Sequence, residues 1–316
     1  MAAQLSFDPQ WDPPSAAKSS PGAAGRFLGE RRGVSFFELP CRSVLNRCTS
    51  ERMPFQWTLN PYRGCEFGCT YCYARYSHEF LGMERWLDFQ EKILVKRAAP
   101  MLLPKELTCE RMDGKALAIG TVTDPYQPAE REFRITRGIL EKLVLARNLT
   151  LSITTKSALI TRDLELLREI ASRSRLSINI SLITLNRRLA RILEPRAPTP
   201  ERRLATVRRL ASAGLKVGIF AMRVLRVLSD GAGGGEALVK ASAGAGAQHF
   251  VAQMLFLRGS ALGGFLPRLE RDFPALASRY RRDYSRGAYQ SNVVRERLSL
   301  LVSELKRRHG LGARPG

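Results

Sequence analysis

The stretch Asn60-Pro61-Tyr62-Arg63-Gly64-Cys65-Glu66-Phe67-Gly68-Cys69-Thr70-Tyr71-Cys72-Tyr73 sets three cysteines at spacing C-x3-C-x2-C within one tight loop. Three thiolates held this close suit three irons of a cubane [4Fe–4S] cluster and leave the fourth iron open for chemistry. Gly64 and Gly68 give the backbone the freedom to wrap a bulky group. Two other readings stay open on spacing alone. His78, six residues beyond Cys72, would complete a Cys3His zinc site. The thiols could equally be small buried hydrophobes. Cys41, Cys48 and Cys109 stand at no recurring pair spacing and read as plain thiols.

Outward from the loop, strand-like and helix-like stretches alternate. Phe55–Leu59 reads as a strand entering the loop, and Ile93–Val95 as a short strand after it. Buried strands are expected at Ala116–Gly120, Leu151–Thr154, Leu176–Ser181, Lys216–Ala221 and His249–Phe256. Helices are expected over Thr136–Arg147, Arg162–Ser172 and Glu236–Ala243. Another begins at Pro200, with Thr199 as N-cap, and ends at Gly214. Such alternation predicts an α/β fold: a parallel sheet closed by right-handed crossovers into a partial (β/α)6 TIM-like barrel with a helical C-terminal extension. Residues 1–35, rich in Pro, Ala, Ser and Gly, read as a disordered tail. Residues 36–258 read as the core barrel with its lead-in segment, and 259–316 as the helical extension. Gly231–Gly235 lacks a following G-K-[ST] and reads as a connection, not a phosphate loop. The lone His249 and His309 read as packing or solvent-facing residues.

The cysteine loop and the blocks after it resemble the radical S-adenosylmethionine (SAM) superfamily, whose signature C-x3-C-x-aromatic-C is matched by Cys65, Cys69, Tyr71 and Cys72. The chain is most similar to the subgroup related to spore photoproduct lyase. The resemblance rests on an ordered set of blocks from about 55 to 220: Asn60–Cys65, Tyr71–Arg75, Ser77–Leu81, Gly120–Pro128, Thr154–Ser157, Ser181-Leu182, Leu193–Arg196 and Pro200–Arg203. It implies a [4Fe–4S] cluster held by Cys65, Cys69 and Cys72, and SAM chelated at the open iron. Reductive cleavage would then give methionine and a 5′-deoxyadenosyl radical. It also implies an electron donor such as a flavodoxin or ferredoxin. By the same resemblance Tyr71 would lie beside the adenine, Lys156 and Ser181 near SAM, and Asp124 and Tyr126 toward the SAM ribose or substrate. One departure stands out. Related lyases carry a hydrogen-donating cysteine near the start of the Thr-Asp block, whereas Gly120–Asp124 here has no thiol, which argues against spore photoproduct repair by that route.

The chain of 316 residues has 51 Lys and Arg against 29 Asp and Glu, a net charge of +22. Such a balance suits a polyanion, DNA or RNA. Residues Arg268–Arg286 interleave arginine with Phe273, Tyr280 and Tyr284, a pattern that suits single-stranded or damaged nucleic acid. An arginine-rich coding bias spread over solvated helix faces would give the same composition. No apolar run is long enough to span a bilayer. Clustered cysteines fit a reducing, cytoplasmic setting better than a disulfide framework. The expected function is therefore a radical SAM enzyme acting on a nucleic acid or nucleotide. Modification of a protein or small molecule is the alternative enzymatic reading. A non-catalytic nucleic-acid-binding protein with a structural metal is the reading of another class.

Overall fold

The computed structural model describes residues 25–51, 53–83, 85–108, 112, 114–225, 233–257, 260–285 and 287–312. Among the described residues, eleven strands form two sheets. The large sheet runs in the order β11-β10-β9-β8-β7-β4-β3. Its members are β3 (Leu45–Arg47), β4 (Trp57–Leu59), β7 (Ala116–Ile119), β8 (Thr150–Thr155), β9 (Arg175–Ser181), β10 (Val217–Val224) and β11 (His249–Met254). From β4 to β11 every pairing is parallel; β3 adds an antiparallel edge to β4. Six of the expected strands make up this parallel run, and among the described residues the sheet stays open between β11 and β3.

Each long crossover carries a helix that folds back on the sheet, as right-handed connections require. Those following β7 to β10 are Ile135–Leu143, Leu164–Arg173, Pro200–Ser212 and Gly234–Gly244. Thr199 caps the third of these by accepting from the Arg202 amide, and Pro200 occupies the first turn. The helix expected over Thr136–Arg147 ends at Leu143, and Asn148, with φ of 58°, turns the chain into β8. Leu117, Ile119, Ile153, Ile178, Ile180 and Ile219, all at most 1% exposed, pack against these helices in the main core. Each such side chain contributes roughly 1.5–3 kcal/mol by burial.

Two expectations are corrected here. Of the expected tail 1–35, residues 1–24 lie outside the described residues, and the remainder is structured: β1 (Phe27–Arg31) and β2 (Val34–Glu38) form an antiparallel pair. Val34 and Phe36 are buried in the main core, which holds the hairpin down. Ile93–Val95 belongs to β6 (Lys92–Val95), which lies in a separate small sheet of order β1-β2-β6-β5 and not in the barrel. Its antiparallel partner β5 (Tyr62–Arg63) immediately precedes the cysteine loop, so the small sheet anchors that loop from outside the barrel.

The C-terminal extension is helical, with helices Ser260–Asp272, Pro274–Asp283 and Asn292–Arg308. Its side chains Ala261, Phe265, Leu269, Tyr280 and Tyr284 share a second core with Phe67, Cys69 and Tyr71 of the cysteine loop. Among the described residues, no helix is long and apolar enough to cross a membrane.

Candidate active site

The cysteine loop is held from several directions. Gly64 has φ of 82°, and a Cβ there would meet the carbonyls of Phe89 and Lys92 at 2.8 and 2.9 Å. The Gly64 carbonyl accepts from Thr123 Oγ1 at 2.5 Å and from Gln127 Nε2 at 3.2 Å. Beyond it, the Cys65 amide donates to the Phe89 carbonyl at 2.8 Å, and the Thr70 amide to the Leu193 carbonyl at 2.9 Å. Arg75 closes the loop from the far side. Its guanidinium donates to the carbonyls of Cys69 and Trp86 and to Gln90, and lies 3.9 Å above the Trp86 ring. Trp86 in turn abuts Gly264 of the C-terminal extension, where any Cβ would overlap the indole.

Cys65, Cys69 and Cys72 line a single cavity of about 200 Å³ at the C-terminal ends of the parallel strands. Asp124, Lys156 and Ser181, from the ends of three successive βα units, line the same cavity, as do Tyr71 and Tyr73. This is where parallel α/β folds assemble their chemistry. Burial pushes the Cys69 thiol up to about 12, and pushes Cys65 well above the usual thiol range, with Asp124 and Cys69 adding to it. Without a compensating positive group, these thiolates would be costly in this setting. Arg75 is such a group: burial weakens its charge, while Cys72, Cys69 and Cys65, all close by, support it.

The donor set fits a four-iron cluster. Three soft sulfur ligands face one cavity and can each take their own iron. They need not meet at one point. Among the described residues, no three Cys, His, Asp or Glu side chains converge on a single-ion position. The Cys3His zinc reading loses its fourth ligand, because His78 points elsewhere. Its Nε2 lies 3.1 Å from the Lys92 carbonyl, and its ring packs edge-on against Phe89.

Lys156 is the hub of the cavity wall. Its Nζ lies 3.1 Å from Ser181 Oγ and 3.7 Å from Glu194 Oε1. Burial opposes its charge, yet Cys69 and Glu194 together hold its pKa above the ordinary lysine value. Glu194, also resisted by burial, is kept below the usual carboxylate range by Arg203 and Lys156. The other oxygen of Glu194 stands 2.5 Å from Arg203, which also donates to the Ser181 carbonyl at 3.0 Å. Tyr71 lines the cavity, and its hydroxyl donates a hydrogen bond to Glu194. Glu194 and Arg203 thus tie the cysteine loop to the ends of β8 and β9. Both residues fall within the sequence blocks Leu193–Arg196 and Pro200–Arg203, where nothing local marks a role for either. The available signal was a carboxylate and an arginine in apolar surroundings, and those surroundings become visible only after folding.

Asp124 also lines the cavity, but its carboxylate is committed to the chain. It accepts from Thr155 Oγ1 at 2.6 Å, the Lys156 amide at 2.7 Å and the Tyr126 amide at 3.0 Å. Burial raises its pKa against the pull of those donors. Its geometry is that of a clamp between the ends of β7 and β8. Tyr126 is corrected: 1% exposed, it packs in the main core and does not face the cavity. The arginine–aromatic stretch after residue 268 is corrected as well. Tyr280 and Tyr284 are buried and Phe273 packs on the same core, so these rings offer no stacking platform. The helices place Arg271, Arg281 and Arg282 on the opposite, exposed side. Cys48 packs against Phe55 and Ala118, and Cys41 on the edge of the main core; neither lines the cavity. Cys109 lies outside the described residues. His249 is a core residue, its Nε2 2.8 Å from Asn179 Oδ1.

The family model for the radical SAM superfamily matches residues 59–230. An uncharacterized protein of Mycobacterium tuberculosis is 37% identical over 279 residues, spanning 87% of this chain and 82% of its own. An uncharacterized protein of Acidianus two-tailed virus is 31% identical over 251 residues, spanning 74% and 81%. Among solved structures, spore photoproduct lyase complexed with dinucleoside spore photoproduct aligns with a TM-score of 0.57 at 15% identity, over 87% of this chain and 78% of that one. A mutant of that lyase with bound AdoMet and the same dinucleoside aligns with a TM-score of 0.55 at 16% identity, over 76% and 66%. At these identities the structural likeness establishes the fold.

Proposed function

The chain belongs to the radical SAM superfamily, and from that premise we propose that it cleaves SAM reductively and directs the resulting 5′-deoxyadenosyl radical to a nucleic-acid or nucleotide substrate. Cys65, Cys69 and Cys72 would hold the cluster. When bound, the cluster supplies the electron that breaks the sulfonium C–S bond, chemistry that belongs to the cofactor and not to the protein. The protein's part is to bind, orient and exclude.

Lys156 offers a charge-assisted donor for the SAM carboxylate, held in place by Ser181 and Glu194. The Glu194–Arg203 pair fixes that lysine without leaving a free carboxylate in the cavity. Arg75 offsets the negative charge of three thiolates. Phe55, Phe67, Ala118, Phe220 and Met222 line much of the remaining wall, and an apolar wall keeps water from a reactive radical. Among the described residues lining the cavity, the only cysteines are the three proposed ligands. Hydrogen return to a product radical would therefore not use a cysteine of the Gly120–Asp124 block.

The observation that carries this reading is the convergence of the three cysteines with Lys156 and Ser181 on one cavity at the strand ends. The nucleic-acid part is supported by the net charge of +22 and by likeness to a lyase structure with a bound dinucleoside. The test is 5′-deoxyadenosine formation from SAM by anaerobically reconstituted protein with a strong reductant. Wild type should produce it and Cys69→Ala should not. Production by both, or by neither at about four irons per chain, overturns the reading. Binding of single- and double-stranded oligonucleotides across a salt series then tests the substrate class. An affinity that does not fall with salt would favour a protein or small-molecule substrate.

A further inference from the structure

The inside of the half-barrel is not filled by large branched side chains, as closed barrels are. Small and polar residues line it: Ala116 and Ala118 on β7, Thr150 and Ser152 on β8, Ser177 and Ser181 on β9. The hollow consequently continues below the active cavity. A second cavity of about 340 Å³ opens at the opposite, N-terminal ends of the strands. Phe55 and Ser152 line both cavities and form the floor between them.

Three features of the lower cavity point to a ligand. Ser177 is 8% exposed and lines the cavity, and its hydroxyl has no hydrogen-bond partner among the described residues. Arg175 and Lys216 stand exposed in its wall, and neither is in an ion pair among the described residues. Arg175 Nε reaches only Thr150 Oγ1, at 3.3 Å, which leaves the rest of its guanidinium fork available. Among the described residues, no carboxylate lines the cavity, whereas Pro54 and Phe55 give it one apolar wall.

We propose that this lower cavity binds a small phosphate-bearing ligand with a flat apolar part, of the kind a nucleoside monophosphate presents. The phosphate sits between Arg175 and Lys216, where a guanidinium and an ammonium together match its charge and geometry. Ser177 supplies a neutral hydrogen bond deeper in, and Pro54 and Phe55 cover the ring. The site is separate from the cysteine cavity and does not depend on cluster or SAM. Because Phe55 lines both cavities, an occupant below would press on the wall of the space above.

The experiment is calorimetric titration of the full-length chain with adenosine monophosphate, with inorganic phosphate as the probe for charge alone. Thermal melting of each ligand-free variant is run alongside. In wild type, adenosine monophosphate should bind more tightly than phosphate and raise the melting temperature. The double variant Arg175→Gln/Lys216→Gln should lose affinity by about tenfold or more, the scale of a charge-assisted contact. Ser177→Val should bind less tightly while melting no lower than wild type without ligand, since the hydroxyl it removes is unpartnered. Lys156→Ala, in the upper cavity, should bind adenosine monophosphate as wild type does. The proposal is overturned by absence of binding to wild type, or by unchanged affinity in both lower-cavity variants. A loss confined to Lys156→Ala, placing the nucleotide in the upper cavity, overturns it equally.

Discussion

Arg203 Nη2 stands 2.5 Å from Glu194 Oε2, with both side chains 1% exposed. This buried pair lies behind the cavity wall and sets the position of Lys156 and Tyr71 through the other carboxylate oxygen. Removing one partner strands a charge in a dry setting, which costs roughly 3–5 kcal/mol. Arg203→Met should therefore lower unfolding free energy on that scale, measured by denaturant titration. Arg203→Lys should recover only part of it, since an ammonium cannot reach both Glu194 and the Ser181 carbonyl as the fork does. Glu194→Gln should weaken SAM binding in calorimetry while leaving iron content unchanged.

Cys65→Ala, Cys69→Ala and Cys72→Ala should each abolish iron retention after anaerobic reconstitution, read as iron and sulfide per chain. Cys41→Ala and Cys48→Ala should retain the full complement, because neither residue lines the cavity. Loss of iron in either of the latter would displace the ligand assignment.

Gly64→Ala tests whether loop geometry matters beyond the thiols. The residue sits at φ of 82°, and its missing Cβ is met by two backbone carbonyls that cannot swing aside. Strain of this kind is on the order of 1–3 kcal/mol. Reduced stability together with a lower iron-to-protein ratio is expected. Gly235→Ala, in a helix with no atom within 4 Å of the new Cβ, should leave iron unchanged and hold or raise stability.

His78 makes the fold acid-sensitive. Burial lowers its pKa to about 4 from the ordinary 6.5; the Lys92 carbonyl and Asp88 pull the other way, while Arg63 and Arg75 reinforce burial. Between those two values the unfolded chain takes up a proton that the native state refuses. Its contribution is complete above pH 6.5 and is lost as pH falls toward 4. About 3 kcal/mol is at stake over that window. His78→Gln removes the titrating group. Its stability, by denaturant titration at pH 7.5 and 4.5, should drop less than that of wild type; equal drops would refute the account.

The sequence by itself determined the cysteine loop, the alternation of strands and helices, and the expectation that chemistry gathers at strand ends. These are local matters. A C-x3-C-x2-C spacing brings three thiols together whatever surrounds it. The period of Leu151-Ser152-Ile153-Thr154 declares one buried and one open face of a strand. Tertiary structure decided the rest. Tyr71 and Glu194 are 123 residues apart and meet only because β9 lies beside β8 and the cysteine loop folds over both. Tyr280 and Tyr284 look like a nucleic-acid platform in sequence and are core residues in the fold, because their helix turns its aromatic face to the cysteine loop and its arginines to water. Ile93–Val95 has the pattern of a barrel strand yet pairs in the small sheet. Hydrophobic pattern states that a face is buried; which surface buries it depends on the packing of the whole chain.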